Sequence, residues 1–382
     1  MKNMKFLAPV LLLVLSVTAF LFAQQGPLND SSTTVARPRK STDKGAPAPE
    51  PQQEKLPSKF GKAKEEGGAI PEGVPTFRSD AITVTVDTAV VDNKGHFLPN
   101  IPKNYFRVLE DGVPQQITGV TAGEAPMTIC MVVEFSNRFQ SYYSYTWFQT
   151  LNAVYGFTQT LKPEDYVAVV AYDLRTEILS DFTNDRAQTA EALQRLRIAG
   201  FSESNMFDAL VDTARRMQEI EGRKAILLIA SGIDTFSKLT YDKTRKALQD
   251  YGVPVYSVGL MQSLREMADA RGGMDALSRM DFLQADNMLR TFSTETGGMS
   301  FFPRFDSEFP GIFNTINQTL RNEYVLTYSP SNQARDGKVR RIKVQLINPA
   351  TNEPLRINDD KGKAIKYQIV AKTGYTAPRE VE

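Results

Sequence analysis

The chain has 382 residues, which is enough for two or three domains at roughly 150 residues each. Its 45 lysines and arginines nearly cancel its 44 aspartates and glutamates, so the formal net charge is +1. This balance argues against nucleic acid as the main partner, because nucleic-acid-binding proteins carry a basic excess. A single cysteine and a single histidine also exclude an internal disulfide bond and a Cys/His metal cluster.

Residues 1–23 have the pattern of an export signal. Two lysines precede an apolar run from Phe6 to Phe22, and Ala23 stands at the position of a cleavage site. The sequence therefore predicts an exported protein, periplasmic or extracellular. An uncleaved membrane anchor is the alternative, because the apolar run is at the short end of the roughly 17–25 residues that span a bilayer.

The segment 24–75 differs in composition from the rest of the chain. It is rich in proline, serine, lysine and glutamate, and Phe60 is its one aromatic residue. Such a segment buries too little apolar surface to offset the entropy that folding costs. We expect a disordered, proline-rich linker.

Residues 76–124 have the alternation of antiparallel strands. Polar and apolar residues alternate from Ile82 to Val91, and the run stops at the turn residues 92–95. Two further strands are predicted over Tyr105–Leu109 and Pro114–Val120. So small a β unit is marginally stable by itself, and we expect strands from elsewhere in the chain to complete it.

A second pattern, strands alternating with helices, runs over residues 125–323. Its first strand, Thr128–Val133, is continuously apolar, which is typical of a strand buried on both faces of a parallel sheet. The other predicted strands are Tyr166–Tyr172, Glu177–Phe182 at an edge, Ala225–Ala230, Val253–Leu260 and Ser300–Pro303. The predicted helices are Tyr145–Leu161, Arg186–Leu196, Met206–Ile220, Asp242–Asp250, Asn287–Thr296 and Ser307–Arg321. This alternation predicts an α/β fold with a doubly wound, mostly parallel sheet.

The segment 261–285 interrupts this alternation. It contains Met261, Met267, Met274 and Met280 around a Gly-Gly pair. Methionines at helical spacing are commonly adaptable core filler, whereas an insertion at the carboxyl end of a strand is also where a binding site gains specificity. Both interpretations stay open.

Residues 324–378 return to the strand pattern. Strands are predicted over Tyr324–Tyr328, Val339–Ile347 and Ile365–Ala371. We expect them to complete the unit begun by residues 76–124. A small β domain would then be assembled from antiparallel segments on both sides of an inserted α/β domain.

Several separated motifs resemble those of von Willebrand factor A proteins. They lie at residues 92–95 (D-x-x-G), 105–112 (Y-F-R-V-L-E-D-G, where the family has F-x-V-x-E-D-G), 206–210 (M-F-D-A-L, where the family has L-Y-D-A-L), 296–298 (T-G-G), 324–330 (Y-V-L-x-Y-x-P), 337–344 (G-x-x-R-x-I-x-V) and 373–375 (x-G-Y). By this resemblance the α/β part is expected to be a Rossmann-like von Willebrand A domain. The ordered chain, residues 76–378, is similar to the exported von Willebrand A-related family of acidobacteria.

The resemblance implies a metal ion-dependent adhesion site, in which a D-x-S-x-S turn, a threonine and an aspartate hold a divalent cation through oxygen ligands. This chain departs from the pattern at most positions. The corresponding residues are Glu134 for the first aspartate, Ser136 for the first serine, Arg138 for the second serine, Ser204 for the threonine and Ser231 for the last aspartate, with Asp234 three residues further on.

These substitutions favour a degenerate site without metal. Arg138 would place a permanent cation beside the ion, and at ~4 Å with an effective dielectric constant of about 20 two unit charges repel by about 4 kcal/mol. We hypothesise that Arg138 pairs with Glu134 and binds a carboxylate of the partner directly. The alternative is that Arg138 points into solvent and the site is inert. If the site still binds Mg²⁺ or Mn²⁺, the expected ligands are Glu134, Ser136 and Ser204.

The sequence thus predicts an exported, non-enzymatic module that binds a protein partner through Glu134, Ser136, Arg138, Ser204 and Asp234. No catalytic set competes with this hypothesis. The one histidine, His96, falls near a turn of the β unit, far in sequence from these residues. No Gly-rich phosphate-binding loop follows a strand.

Two other functions stay open. The first is a structural component of an envelope or export assembly, with the linker and the Met-rich segment as contact elements. The second is a metal-dependent hydrolase that uses Glu134, Asp208 and Asp234 as acid, base or ligand. No cofactor is expected for the leading hypothesis, and membrane contact is expected only through an uncleaved N-terminal segment.

Overall fold

The computed structural model describes residues 82–136, 151, 154–196, 203–262, 265–266, 276–359 and 361–380. The predictions for the export signal, the linker and Arg138 lie outside these residues. The strands are β1 (Val84–Asp92), β2 (Phe106–Glu110), β3 (Val113–Gln115), β4 (Ile117–Thr121), β5 (Met127–Glu134), β6 (Tyr166–Tyr172), β7 (Thr176–Thr183), β8 (Arg223–Ala230), β9 (Val255–Gly259), β10 (Ser300–Phe301), β11 (Tyr324–Tyr328), β12 (Val339–Leu346), β13 (Ile357–Asn358), β14 (Ala364–Ile365), β15 (Tyr367–Ala371) and β16 (Gly374–Thr376). The helices are α1 (Arg186–Gln194), α2 (Met206–Met217), α3 (Tyr241–Tyr251), α4 (Ala276–Thr296) and α5 (Phe309–Asn322).

Six strands form the central sheet in the order β10-β9-β8-β5-β6-β7. Neighbouring strands are parallel, except that the edge strand β7 is antiparallel to β6. The predicted α/β fold with a mostly parallel sheet is therefore confirmed.

The central position of β5 follows from its continuous apolar sequence. All its residues are buried. Met131 and Val133 pack in the core on one face of the sheet, and Cys130 and Val132 pack in the core on the other. Successive side chains of a strand point to opposite faces, so an unbroken apolar run supplies both cores. Burial also raises the pKa of the Cys130 thiol, which packs as a neutral side chain.

Helices cover both faces of the sheet. Helices α1 and α5 and the helical residues 154–160 pack on one face, and α2, α3 and α4 pack on the other. The stripe of α2 predicted to face inward is buried in the structure: Met206, Leu210, Thr213 and Met217. The sheet is thus doubly wound, as predicted.

Two four-stranded antiparallel sheets are built from the segments that flank the α/β domain. Their strand orders are β15-β1-β11-β4 and β16-β12-β2-β3. Strands before residue 125 pair with strands after residue 323, as β1 does with β11 and β15 and β2 does with β12. Val86, Val108, Leu326 and Val344 belong to one core that both sheets share.

Helix α4 is longer than predicted. It begins at Ala276, whereas the apolar pattern predicted a start at Asn287. The side chains of Met280 and Leu283 are 56% and 53% exposed, and they break the inward-facing stripe that identifies a helix in a sequence. The second part of the Met-rich segment is therefore the start of α4, while residues 263–264 and 267–275 lie outside the described residues.

Other differences concern short elements. The strand predicted over Pro114–Val120 is two strands, β3 and β4, and the strands β13, β14 and β16 are too short for their alternation to be recognised. The helix predicted over Tyr145–Leu161 lies mostly outside the described residues, although residues 154–160 are helical. Among the helices that are described, none has the length and apolar character to cross a membrane.

Candidate functional site

The parallel strands β5, β8 and β9 end at the same edge of the central sheet, and the loop before α2 lies at that edge too. Ligands bind at the carboxyl ends of the strands in open α/β sheets. The predicted site residues Glu134, Ser136, Ser204 and Asp234 belong to these loops. Each of them is engaged in contacts that the sequence alone did not reveal.

Glu134, the last residue of β5, is buried, with 1% of its surface exposed. Its Oε1 accepts a hydrogen bond of 2.8 Å from the Ser136 hydroxyl. Its Oε2 accepts one of 2.6 Å from the backbone N–H of Ser231, which follows β8. The carboxylate therefore joins the first and third loops of the edge.

Ser204 is also buried and binds the third loop through its backbone. Its N–H donates to the Thr235 hydroxyl at 2.9 Å, and its carbonyl accepts from the N–H groups of Thr235 and Phe236. Among the described residues, its hydroxyl and the side-chain carbonyl of Asn205 have no hydrogen-bond partner. Buried polar atoms of this kind are normally satisfied by water or a ligand.

Asp234 faces the start of α2. Its Oδ1 accepts hydrogen bonds from the Phe207 N–H at 3.1 Å and from the Ser237 hydroxyl at 2.6 Å. Burial raises the pKa of the Asp234 carboxyl, although these hydrogen bonds lower it. A carboxylate at a helix N-terminus satisfies backbone N–H groups that have no partner within the helix.

Asp208 makes the reciprocal contact from the first turn of α2. Its two carboxylate oxygens accept hydrogen bonds from the N–H groups of Lys238 and Leu239, at 2.9 and 3.1 Å. The Ser237 hydroxyl accepts a hydrogen bond of 3.2 Å from the Asp208 N–H. Asp208 and Asp234 thus brace the third loop against α2 from both sides.

The structure brings some of the predicted site residues together. Glu134, Ser136 and Ser231 are in direct contact, and Ser204 joins them through the third loop. Asp234 instead accepts a hydrogen bond from the Phe207 N–H at the start of α2. The bracing role of Asp208 and Ser237 was missed, although an aspartate in the first turn of a helix was a recognisable signal.

Exposed apolar side chains lie near these buried polar groups. Phe236, in the third loop, is 59% exposed. Helix α4 packs closely against this loop at Gly232. A Cβ added to Gly232 would lie 2.8 Å from the Ala285 carbonyl oxygen, which shows how near the two backbones are. At 1.5 Å per residue, the nine residues of α4 before Ala285 extend about 13 Å further from the sheet, and they include Met280 and Leu283.

Residues 130–295, from β5 to the end of α4, match the family model for the von Willebrand factor type A domain. The α/β domain has the von Willebrand A fold. The family match ends before the strands that complete the antiparallel sheets, so those sheets are additions to the von Willebrand A domain.

Solved structures resemble this chain at low sequence identity. Proximal thread matrix protein 1 from the mussel byssus aligns with 12% identity and a TM-score of 0.40, over 52% of this chain and 50% of that one. The chain thus spans about half the length of the mussel protein. A search of curated proteins gave no match.

Two bacterial structures align similarly. The von Willebrand domain of the type V pilus tip protein Mfa5 from Porphyromonas gingivalis has 13% identity and a TM-score of 0.39, over 52% of this chain and 95% of that one. A von Willebrand factor type A protein from Catenulispora acidiphila has 11% identity and a TM-score of 0.38, over 78% of this chain and 75% of that one. At these identities the likeness concerns the fold alone.

Proposed function

We propose that the protein is an exported, non-enzymatic module whose von Willebrand A domain binds a protein partner at its carboxyl edge. Domains of this type are generally interaction modules without catalytic activity. The observation that carries the proposal is the exposed ring of Phe236, set in a loop that Glu134, Asp208 and Asp234 hold rigidly. An exposed aromatic side chain on a preorganised loop is a typical anchor of a protein interface.

The composition of the edge supports binding by apolar and hydrogen-bonding groups. Both oxygens of Glu134 accept internal hydrogen bonds, and Asp234 is bonded to α2. The predicted export signal and the resemblance to the exported acidobacterial family support a partner outside the cytoplasm.

The partner contact is further proposed to be independent of metal. A divalent cation of this fold family takes several oxygen ligands, among which carboxylates supply the charge that holds it. Ser231 contributes a backbone N–H to the site where an aspartate would contribute charge. Within the described ranges, no three side chains of His, Cys, Asp or Glu are grouped as a metal site. Because Glu134 is the one carboxylate among Glu134, Ser136, Ser204 and Ser231, we infer that this set does not hold the family's cation.

Calorimetric titration with Mg²⁺ and with Mn²⁺ is expected to give no stoichiometric binding, because both oxygens of the Glu134 carboxylate already accept internal hydrogen bonds. The same titration of Glu134→Gln is the control, since glutamine retains the shape of the side chain and removes its charge. A one-to-one micromolar site in the wild-type protein that weakens in Glu134→Gln would contradict the metal-free proposal.

Site-specific photo-crosslinking tests the partner surface. A photoreactive amino acid at position 236 is expected to form protein adducts in the native cells, and to form them equally in the presence of EDTA. Val113 is the matched control position, because it is also apolar and 53% exposed but lies on β3, in the β domain. Equal adduct yields from positions 236 and 113 would refute a partner surface at the carboxyl edge.

A further inference from the structure

A cleft of about 520 Å³ lies between the β domain and the helices α3 and α4. Its floor is the outer face of β12, where Val339, Arg341 and Lys343 are exposed. The alternate residues Val344 and Leu346 pack in the core between the two antiparallel sheets. The volume is within the roughly 300–1,000 Å³ of small-molecule and cofactor sites, so the cleft is large enough to hold a ligand.

The wall opposite β12 is held together by one carboxylate. Glu295, in the last turn of α4, accepts a hydrogen bond of 3.0 Å from Arg245 Nε and one of 3.2 Å from the Gln249 side-chain amide, both on α3. A second guanidinium nitrogen of Arg245 also contacts this carboxylate. The guanidinium carbon of Arg245 lies 5.5 Å from the centroid of the Tyr241 ring. The negative charge of this wall is therefore already paired.

Arg341 and Lys343, in contrast, are unpaired. Within the part of the chain that the structure describes, neither side chain forms a salt bridge or a hydrogen bond. The nearby carboxylates bind other groups: Asp111 accepts a hydrogen bond of 2.9 Å from the Arg341 backbone N–H, and Asp250 accepts one from the Thr376 hydroxyl. The described lining contains three cationic side chains and one carboxylate, so an excess of positive charge faces the cleft.

The two unpaired cations have the spacing that a strand gives to its side chains. They are two positions apart on β12, and each residue of a strand rises by about 3.3 Å, so they are separated by about 6.6 Å. An extended peptide with carboxylates at alternate positions has the same spacing. From Val339 to Lys343 the floor extends about 13 Å, which is the length of about four residues of such a peptide.

We propose that this cleft binds an extended acidic peptide of a partner protein, whose alternate carboxylates pair with Arg341 and Lys343. Leu109 and Val339, which is 45% exposed, provide apolar surface beside the two cations for the aliphatic parts of the peptide. An extended peptide matches both the strand spacing and this mixture of charged and apolar surface.

The cleft is a different surface from the carboxyl edge of the von Willebrand A domain. Glu295 precedes Thr296, whose hydroxyl accepts a hydrogen bond from the Val255 N–H at the start of β9. The cleft therefore lies near the beginning of the parallel strands, whereas Phe236 lies near their ends. Its test is independent of the partner contact proposed for Phe236.

Fluorescence anisotropy with the full chain at low salt tests the proposal. The probes are two labelled peptides of serine and glutamate with equal numbers of glutamates, separated by one serine in the first and by two serines in the second. Tighter binding of the first peptide is expected, and added NaCl is expected to weaken it because salt screens exposed charges. Equal affinity for the two peptides, or tighter binding of polygalacturonate as an anionic polysaccharide, would overturn the proposal.

Two double variants locate the binding surface. Arg341→Glu combined with Lys343→Glu is expected to weaken binding of the first peptide by at least about tenfold, because two attractions become repulsions. Lys361→Glu combined with Lys363→Glu is the matched control, since these lysines are exposed and equally spaced but lie in the turn between β13 and β14. The control is expected to bind within about twofold of the wild-type affinity.

The neutral variant Arg341→Gln combined with Lys343→Gln guards against an effect of repulsion alone. It removes both charges without introducing new ones, and an intermediate loss of affinity is expected. Circular dichroism spectra equal to that of the wild type are expected for all three variants, because the substituted side chains are exposed. Wild-type affinity in the neutral variant, or equal losses in the two charge-reversal variants, would overturn the assignment of the cleft.

Discussion

Replacing Gly298 by alanine is expected to lower the free energy of unfolding by more than the roughly 1–3 kcal/mol typical of overpacking a core. A Cβ at this position would lie 2.1 Å from the Val255 carbonyl oxygen and 2.6 Å from its carbonyl carbon. These atoms belong to the backbone of β9 and cannot rotate away. The backbone between α4 and β10 would therefore have to move away from β9. Urea unfolding followed by circular dichroism measures the change.

Gly156→Ala is the matched control, because it makes the same chemical change in a helical segment. No atom lies within 4 Å of the Cβ that would be added there. Alanine in a helix is more stable than glycine by roughly 0.5–1 kcal/mol, so this variant is expected to unfold at slightly higher urea. Equal midpoints for the two variants would contradict the packing assigned to Gly298.

The Thr-Gly-Gly motif illustrates how far a sequence pattern reaches. The resemblance identified residues 296–298 without giving a physical reason for them. In the structure, the Thr296 hydroxyl accepts a hydrogen bond of 2.9 Å from the Val255 N–H. Gly297 adopts a positive φ beside Lys372, and Gly298 packs on Val255. The motif thus fastens the end of α4 to β9 and to the β domain at once.

The fold could be predicted because its main elements are encoded locally. The unbroken apolar run of β5 identified a strand with a core on each face, and the stripe of α2 identified its buried side. The start of α4 could not be predicted in this way, because Met280 and Leu283 are apolar but exposed. Local periodicity fails where apolar residues face solvent.

The candidate site was less predictable because its contacts join residues far apart in the sequence. The position of Glu134 at the end of a buried strand was predicted correctly. Its hydrogen bond to the Ser231 N–H links residues that are 97 positions apart. The sequence did not reveal that Asp234 would accept a hydrogen bond from the start of α2, because the residues of this loop are compatible with more than one loop orientation.

Asp165 is expected to be the most important charged residue for stability outside the site. It is fully buried and lies 2.6 Å from the guanidinium of Arg321, which is 5% exposed. It also accepts hydrogen bonds from the N–H groups of Met127, at the start of β5, and of Lys162. One carboxylate therefore fastens the central strand to α5 and to the loop before β6.

Asp165→Asn is expected to lower the free energy of unfolding by about 3–5 kcal/mol, because removing one member of a buried ion pair leaves the other charge uncompensated. Glu124 lies 3.5 Å from Arg321 Nε but is about half exposed, so it does not replace Asp165. Asp212→Asn is the control; its partners are Arg215 and Arg216 on the surface of α2, and a loss of about 0–1 kcal/mol is expected.

A double variant separates the buried charge from the lost hydrogen bonds. Arg321→Met removes the uncompensated cation, so Asp165→Asn combined with Arg321→Met is expected to be more stable than Asp165→Asn alone. The hydrogen bonds to Met127 and Lys162 are affected equally in both proteins, so the difference in urea midpoint reports the charge. If the double variant is no more stable than the single one, the backbone hydrogen bonds, and not the ion pair, explain why Asp165 stabilises the fold.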